Sequence, residues 1–425
     1  MATLAFGSCN KQFRPQPLWP HILRRNPRLF VWAGDNVYHD TRRGATFTPA
    51  PLEQMKANYA LQLAHPGYTR LRAAVEVDGT WDDHDYGLND AGDDYANRTA
   101  SQALFLDFLG EPEHSARRRR QGVFSSRELA LHGGGTLKLI LLDVRFHRSA
   151  YRRDGGGSML GEDQWRWLEA QLRNSSAAAH VIVSGVQLLP EHRYIAEGWY
   201  RFAAERARLL ELVLSSGARA PLLVSGDVHF AELSEARCFN PRGEAASLVE
   251  LTTSGMTHGW GARFAYAPSA VPALGSLEGV AEGWVGWALL HLTQALMPFA
   301  YLQRDARDAR PLYYAGINFG ELELDGSRVV SRVLNEGGEV VLEASHSLQS
   351  LGAAAAAARD GPWRCEGHRG PVPKWRHDLA LGVLVALVLS AVFVAPMGIL
   401  CCFCRALRRK ISTRRTAPSL KKKLS

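Results

Sequence analysis

Short apolar runs that stop abruptly at glycine, aspartate or tryptophan recur along the chain, and each reads as a buried strand with polar residues delivered at its C-terminal edge. Ala2 to Phe6 ends in Gly-Ser-Cys-Asn, and Leu29 to Ala33 ends in Gly-Asp-Asn-Val-Tyr. Val75 to Thr80 runs into Trp-Asp-Asp-His-Asp, and Pro221 to Ser225 into Gly-Asp-Val-His. Further strands are predicted over 123–131, 137–142, 180–184 and 248–253. A late antiparallel set follows over 313–324, 328–334 and 339–343, punctuated by Asp-Gly and Gly-Gly turns. Apolar residues at helical spacing predict helices over about 18–26, 52–63, 97–109, 161–173 and 200–214. The pattern is that of an α/β fold, and open α/β sheets place their sites at such strand ends.

The residues at these ends set the candidate chemistry. Asp35 and Tyr38 follow one strand, and Cys9 stands at the matching point of another, as either a ligand or a small buried hydrophobe. Asp82, Asp83, His84 and Asp85 follow a third strand behind Trp81; in succession they repel one another unless a cation relieves them. Asp227 and His229 are two apart and share one side of an extended segment. Arg145 and Arg148 follow Asp143, which suits either an oxyanion fork or a surface ion pair with that aspartate. Gln187 and His258 lie just beyond two further strand ends.

Composition, with 46% hydrophobic and 22% charged residues in 425, is globular and sufficient for a large core. The formal charge of +8 is local. Residues 401–425 hold nine Lys or Arg and no acid, leaving 41 basic against 42 acidic residues in the rest, so no nucleic-acid partner is expected. The Arg117 to Arg120 run reads as a solvated loop. Before the tail, 379–400 gives 22 residues without a formal charge, roughly 33 Å as a helix, and is predicted to be a single transmembrane helix. Residues 346–378 read as a linker, and 259–312 as an insertion or lid. Six cysteines do not make a disulfide framework: Cys401, Cys402 and Cys404 suit S-palmitoylation, Cys9 sits at a strand end, and Cys238 and Cys365 remain to pair. No signal peptide precedes the first strand, which reads as either a cytosolic domain or an incomplete N-terminus. The basic tail favours a cytosolic tail and a lumenal or extracellular domain, where Asn97 and Asn174 are possible glycosylation acceptors.

Taken in order, Phe-Gly-Ser-Cys, Gly-Asp-Asn-Val-Tyr, Trp-Asp-Asp-His-Asp-Tyr-Gly-Leu-Asn-Asp, Leu-Asp-Val-Arg and Ser-Gly-Asp-Val-His-Phe resemble the alkaline phosphatase D (PhoD-like) family of the metallophosphatase superfamily, over about residues 2 to 345. The resemblance implies a sandwich of two mixed β-sheets flanked by helices, with a dinuclear metal site across their strand ends. It implies that Cys9, Asp35, Tyr38 and His229 hold a ferric ion. Asp35 would bridge to a second ion, calcium by its ligands, held among Asp83, Asp227 and Asp82 or Asn89. Thiolate, phenolate and imidazole suit a transition metal, whereas carboxylate and amide oxygens suit calcium. The implied activity is hydrolysis of phosphate esters, of a small molecule or a lipid, with His84 as general acid and Arg145 and Arg148 on the phosphate oxygens; His258 is a candidate for the substrate rim. A membrane-associated phosphodiesterase for a lipid or nucleotide is the alternative among enzymes. The rival from another class is a catalytically silent, membrane-anchored binding protein, against which the presence of both His84 and His229 argues.

Overall fold

A computed structural model describes residues 2–43, 46–131, 134–152, 154–190, 197–261, 303–304, 310–352 and 362–367, with Trp375, Leu379, Gly382, Val383 and Ala386 beyond them. The chain divides into two compact units, Met1–Gln294 with Phe299–Pro371, and Ala295–Pro298 with Val372–Ser425. In the second unit the five residues just named are helical. The predicted span 379–400 otherwise lies outside the described residues, as do the tail 401–425 and most of 259–312. Among the described residues no helix is long and apolar enough to cross a membrane.

In chain order the elements of the first unit are β1 (Ala2–Gly7), α1 (Trp19–Arg24), β2 (Leu29–Ala33), β3 (Thr41–Arg43), β4 (Thr46–Thr48), α2 (Leu52–Ala64), α3 (Pro66–Ala74), β5 (Glu76–Thr80), α4 (Asp83–Tyr86) and α5 (Arg98–Leu109). There follow β6 (Ser125–Ala130), β7 (Thr136–Leu141), α6 (Glu162–Arg173), β8 (Ala179–Ser184), α7 (Ala203–Ser215), β9 (Pro221–Ser225), β10 (Ala231–Phe239) and β11 (Ala245–Thr252). The last are β12 (Tyr313–Tyr314), β13 (Asn318–Leu324), β14 (Arg328–Asn335), β15 (Val340–Ser347) and β16 (Arg364–Gly367). Six strands form one sheet in the order β15-β14-β13-β1-β2-β5. Eight form a second, β12-β10-β11-β9-β8-β7-β6 with β16 beside β10. Both are mixed: β1, β2 and β5 run parallel, as do β7, β8, β9 and β11, while β13 and β10 pair antiparallel to their neighbours.

The apolar runs are continuous because the parallel strands are covered on both faces, and side-chain alternation sorts each run between two cores. Leu4, Phe6, Leu29, Val31 and Ala33 point inward and meet Leu139, Leu141, Val181, Val183 and Val224 of the other sheet. The intervening Ala5, Phe30 and Trp32 point outward against Trp19, Tyr68 and Phe105 of α1, α3 and α5. On the opposite outer face Ile140, Ile182 and Leu223 pack against Trp165, Leu168 and Leu209 of α6 and α7. The result is a sandwich of two mixed sheets flanked by helices, the architecture the motif resemblance implied.

Three departures have physical causes. The stretch 313–324 is two strands, because the chain changes sheet at Ala315 to Ile317, where the Asn318 side chain donates to the Gly316 carbonyl at 2.9 Å. Arg117 is buried: its guanidinium donates to the Val123 and Gly79 carbonyls and pairs with Asp78 at 2.9 Å, so the basic run is anchored at one end. Within the expected linker, β16 adds to the edge of β10, and Cys365 forms a disulfide with Cys238 across that pair.

Candidate metal and phosphate site

Four strand ends converge, and backbone geometry aims them. Cys9, Asp35, Asp227 and His229 all have positive φ, between 52° and 72°, a conformation that costs a non-glycine residue energy and that clusters at functional sites. Glycines make room: a Cβ on Gly226 would lie 2.4 Å from the Ala33 carbonyl oxygen, and one on Gly185 2.6 Å from the Asp82 carboxylate.

Sulfur, nitrogen and oxygen donors gather on one side. Asp35 Oδ2 accepts from the Tyr38 hydroxyl at 3.0 Å and from the Cys9 thiol at 3.4 Å. Tyr38 OH lies 3.2 Å from His229 Nε2, and the donor atoms of Cys9, Asp35 and His229 all lie within 4.8 Å of one another. Ser254 ties two of these together, its hydroxyl 3.0 Å from Cys9 Sγ and accepting the His229 N–H at 2.7 Å. His258 is buried rather than on the rim, its Nε2 3.3 Å from Tyr38 OH and its ring against that of His229. The strand end carrying it continues inward past Cys9, where Thr257 Oγ1 bonds the Cys9 carbonyl.

Oxygen donors gather on the other side. Asp82, Asp83 and Asp227 form a second group, their ligand atoms likewise within 4.8 Å of one another, and Asp35 with Asp83 and His84 forms a third that links the two. Asp90 and Glu197 extend the acids around Asp83. Asn89 enters through its backbone, which donates to Asp40 at 2.8 Å. Asp85 turns away: it accepts from the Asp82 N–H at 2.6 Å and the Asn36 side chain at 2.5 Å, locking α4 onto the loop after β2. The four successive ionisable residues therefore divide between site and scaffold.

Electrostatics follow from burial. Loss of water first, then Asp83, pushes the Asp35 carboxyl up to about 7, against the opposing pull of His84. Asp227 is raised for the same reasons, by burial and then by Asp82 and Asp83. Asp82 is raised by burial against the opposing pull of Arg145, and its Oδ2 is buried without a hydrogen-bond partner. His84 goes the other way: burial opposes its charge, but Asp83, Asp35 and Asp40 outweigh that and raise it to about 10. Its Nδ1 lies 2.7 Å from Asp40 Oδ1 and its ring stacks on Tyr38 at 4.1 Å.

The arginines are tied down. Arg145 is fully buried, with Nε donating to Asp82 at 2.7 Å and Nη2 to Glu197, which leaves Nη1 without a partner. Arg148 is committed at both ends, Nη1 to the Asp90 carbonyl at 2.8 Å and Nη2 to Glu197, and it stacks on Tyr151, which also bonds Glu197. Neither pairs with Asp143, whose carboxylate accepts the backbone N–H groups of Val123, Arg145 and Phe146. Gln187 lies in a buried network behind the site, donating to Glu232 and Thr252. Sequence reasoning missed Asp40, Asp90, Glu197 and Ser254. Asp40 follows one recognised motif and Asp90 closes another; Glu197 has no motif around it and is recruited only by folding.

The family model described as PhoD-like phosphatase matches residues 4–270, well over half of the chain. The chain belongs to the PhoD-like phosphatase family. Membership implies a hydrolase acting on phosphate esters. A solved structure described as the structure of PhoD superposes with a TM-score of 0.56 at 14% identity, covering 91% of this chain and 77% of that one, which speaks for the fold. No curated protein matches the sequence. The PhoD-like match spans the four strand ends at which the two donor groups meet.

Proposed function

We propose that the chain hydrolyses phosphate esters at a dinuclear metal centre in which Asp35 is shared between a ferric ion and a harder divalent ion, calcium by its ligand set. The observation that carries this reading is the division of donors around Asp35. Cys9, Tyr38 and His229 offer sulfur, phenol and imidazole on one side, and Asp82, Asp83 and Asp227 offer only carboxylate on the other. The raised carboxyls and the orphaned Asp82 Oδ2 fit a cation, whose charge offsets the burial, and after it the mutual repulsion, that otherwise hold protons on these groups. When bound, the two ions supply the nucleophile at neutral pH and polarise the phosphate.

The chain's own groups do the rest. His84, with Nδ1 engaged by Asp40, has Nε2 left to give a proton to the departing oxygen. Arg145 offers Nη1 to a non-bridging phosphate oxygen while Asp82 and Glu197 fix the guanidinium plane, so orientation as well as charge is preset. Arg148 supports it by holding Glu197.

The full-length protein is therefore expected to contain iron, to be coloured by phenolate-to-iron charge transfer, and to turn over phosphate esters. Tyr38→Phe bleaches the colour and weakens iron retention, and Cys9→Ser shifts the band. Elemental analysis, a visible spectrum and a panel of monoesters and diesters decide this; a colourless, iron-free and fully active protein assigns a different metal pair.

Residues 379–400 are proposed as a membrane anchor, with the catalytic unit lumenal or extracellular and the nine-cation tail cytosolic. Two observations support this side of the membrane. The Cys238–Cys365 disulfide belongs to an oxidising compartment, and Asn97 and Asn174 are both exposed.

A further inference from the structure

Among the described residues the strands β3 and β4 belong to neither large sheet and pair only with each other. Two-stranded pairs are marginal alone, so their placement needs a reason. Both ends of the pair act on one side chain. Asp40, immediately before β3, bonds His84 Nδ1 at 2.7 Å, and Phe47, on β4, brings its ring centroid to 5.8 Å from the His84 ring. Phe47 belongs to none of the buried core clusters and stays partly exposed, with the Arg42 guanidinium 5.6 Å from its ring centre. A partly exposed aromatic ring is thus held beside the proton donor, with a cation against it.

We propose that the paired strands Thr41–Arg43 and Thr46–Thr48, through Arg42 and Phe47, form the leaving-group subsite. It selects esters of flat aromatic alcohols, whose ring packs on Phe47, with Arg42 favouring those that carry a second negative charge. This rests on His84 being the general acid: the Phe47 ring lies 5.8 Å from the His84 ring, so a leaving group protonated by His84 departs beside an exposed aromatic ring, with Arg42 across the strand pair from it. A ring contact of this kind contributes roughly three- to tenfold in binding, and the adjacent guanidinium adds to the attraction of an anion.

The test compares 2-naphthyl phosphate with phenyl phosphate, whose leaving oxygens are chemically alike while their ring areas differ. In the full-length, metal-loaded protein the naphthyl-to-phenyl ratio of kcat/KM should exceed one. Phe47→Ala should lower that ratio roughly three- to tenfold, mainly through KM, and Phe47→Trp should restore it. Arg42→Ala should instead lower the preference for a carboxylated naphthyl ester over the plain one. The same ratios read as inhibition constants for naphthylmethyl- and benzylphosphonate give a measure that needs no turnover of the ligand. A naphthyl-to-phenyl ratio unchanged by Phe47→Ala overturns the subsite, even where both rates fall together because His84 has shifted. A wild-type protein that turns over neither ester overturns the phosphatase reading beneath it, and the two failures are told apart by that control.

Discussion

At the scale of single residues, the site is a set of groups held in protonation states that water would not give them. Without a bound cation, Asp83, Asp35 and Asp40 outweigh burial and raise His84 to about 10. His84→Asn should therefore lower turnover of esters with poor leaving groups on the order of 10²–10⁴-fold while metal content stays normal, with activated aryl phosphates much less affected. Equal losses on both classes, or loss of metal, would make His84 a ligand or a scaffold residue. Metal removal gives a second expectation. Asp35, raised to about 7 by burial, Asp82, Asp85 and Asp227, also raised by burial, and His84, raised to about 10, all bind protons more readily folded than unfolded. The stability such groups contribute is present below their unfolded values and is lost as pH rises through the folded ones. The histidines with lowered values, His39 and His229 at about 3, complete their change below the ordinary 6.5 and do not oppose this above it. Metal-free protein should thus lose thermal stability steadily from about pH 6.5 to about 10, and added metal should flatten the slope. A thermal melt of stripped and reloaded protein across that range checks it; a flat profile without metal refutes it.

At the scale of elements, the site depends on how closely strand ends approach. Gly226 sits between Ser8 and the Ala33 carbonyl, where a methyl group meets backbone that cannot swing away. Gly226→Ala should cost about 1–3 kcal/mol in urea unfolding and lower metal affinity as well, since Asp227 is the next residue. This is also the scale at which the sequence reads best and fails most instructively. The buried strands β1, β2, β5 and β9 announce themselves as apolar runs with both faces covered, and their terminal residues are the candidate ligands. β10 does not, because Glu232, Ser234, Glu235 and Arg237 interrupt its apolar pattern, and burial of Glu232 and Ser234 depends on a polar network with Gln187 that only the fold assembles. Helix α3 hides behind Pro66-Gly67, although proline at a helix start is favourable. The places of Asp35, Tyr38 and His229 at strand ends are legible in the sequence, while their assignment as ligands comes from the motif resemblance. The commitment of Arg145 and Arg148 to Glu197 is not, since a guanidinium beside a strand end looks the same whether it faces a phosphate or a buried carboxylate.

At the scale of the whole molecule, the proposed anchoring with a lumenal or extracellular catalytic unit makes its own prediction. In sealed vesicles from expressing cells the full-length protein should resist added protease, lose mass on glycan removal, and keep Cys238 and Cys365 inaccessible to a thiol reagent until reduced. Digestion without a glycan shift, and two free thiols, would put the unit in the cytosol. Cys238 and Cys365 are 127 residues apart, and that long closed loop is worth on the order of 2–5 kcal/mol where the disulfide forms.

The position of the first strand has a consequence for how the protein is made. Leu4 lies between Leu29 on one side and Leu322 on the other, so the third residue pair of the central seam waits for a partner more than three hundred residues away. A nascent chain stopping at residue 270, where the family match ends, carries every candidate ligand but exposes one whole edge of β1. Contacts this remote in sequence close slowly, and an uncovered edge invites other chains to pair with it. A chain stopped at residue 270 is therefore expected to aggregate where the full-length chain stays soluble, because β13 is missing from the open edge of β1.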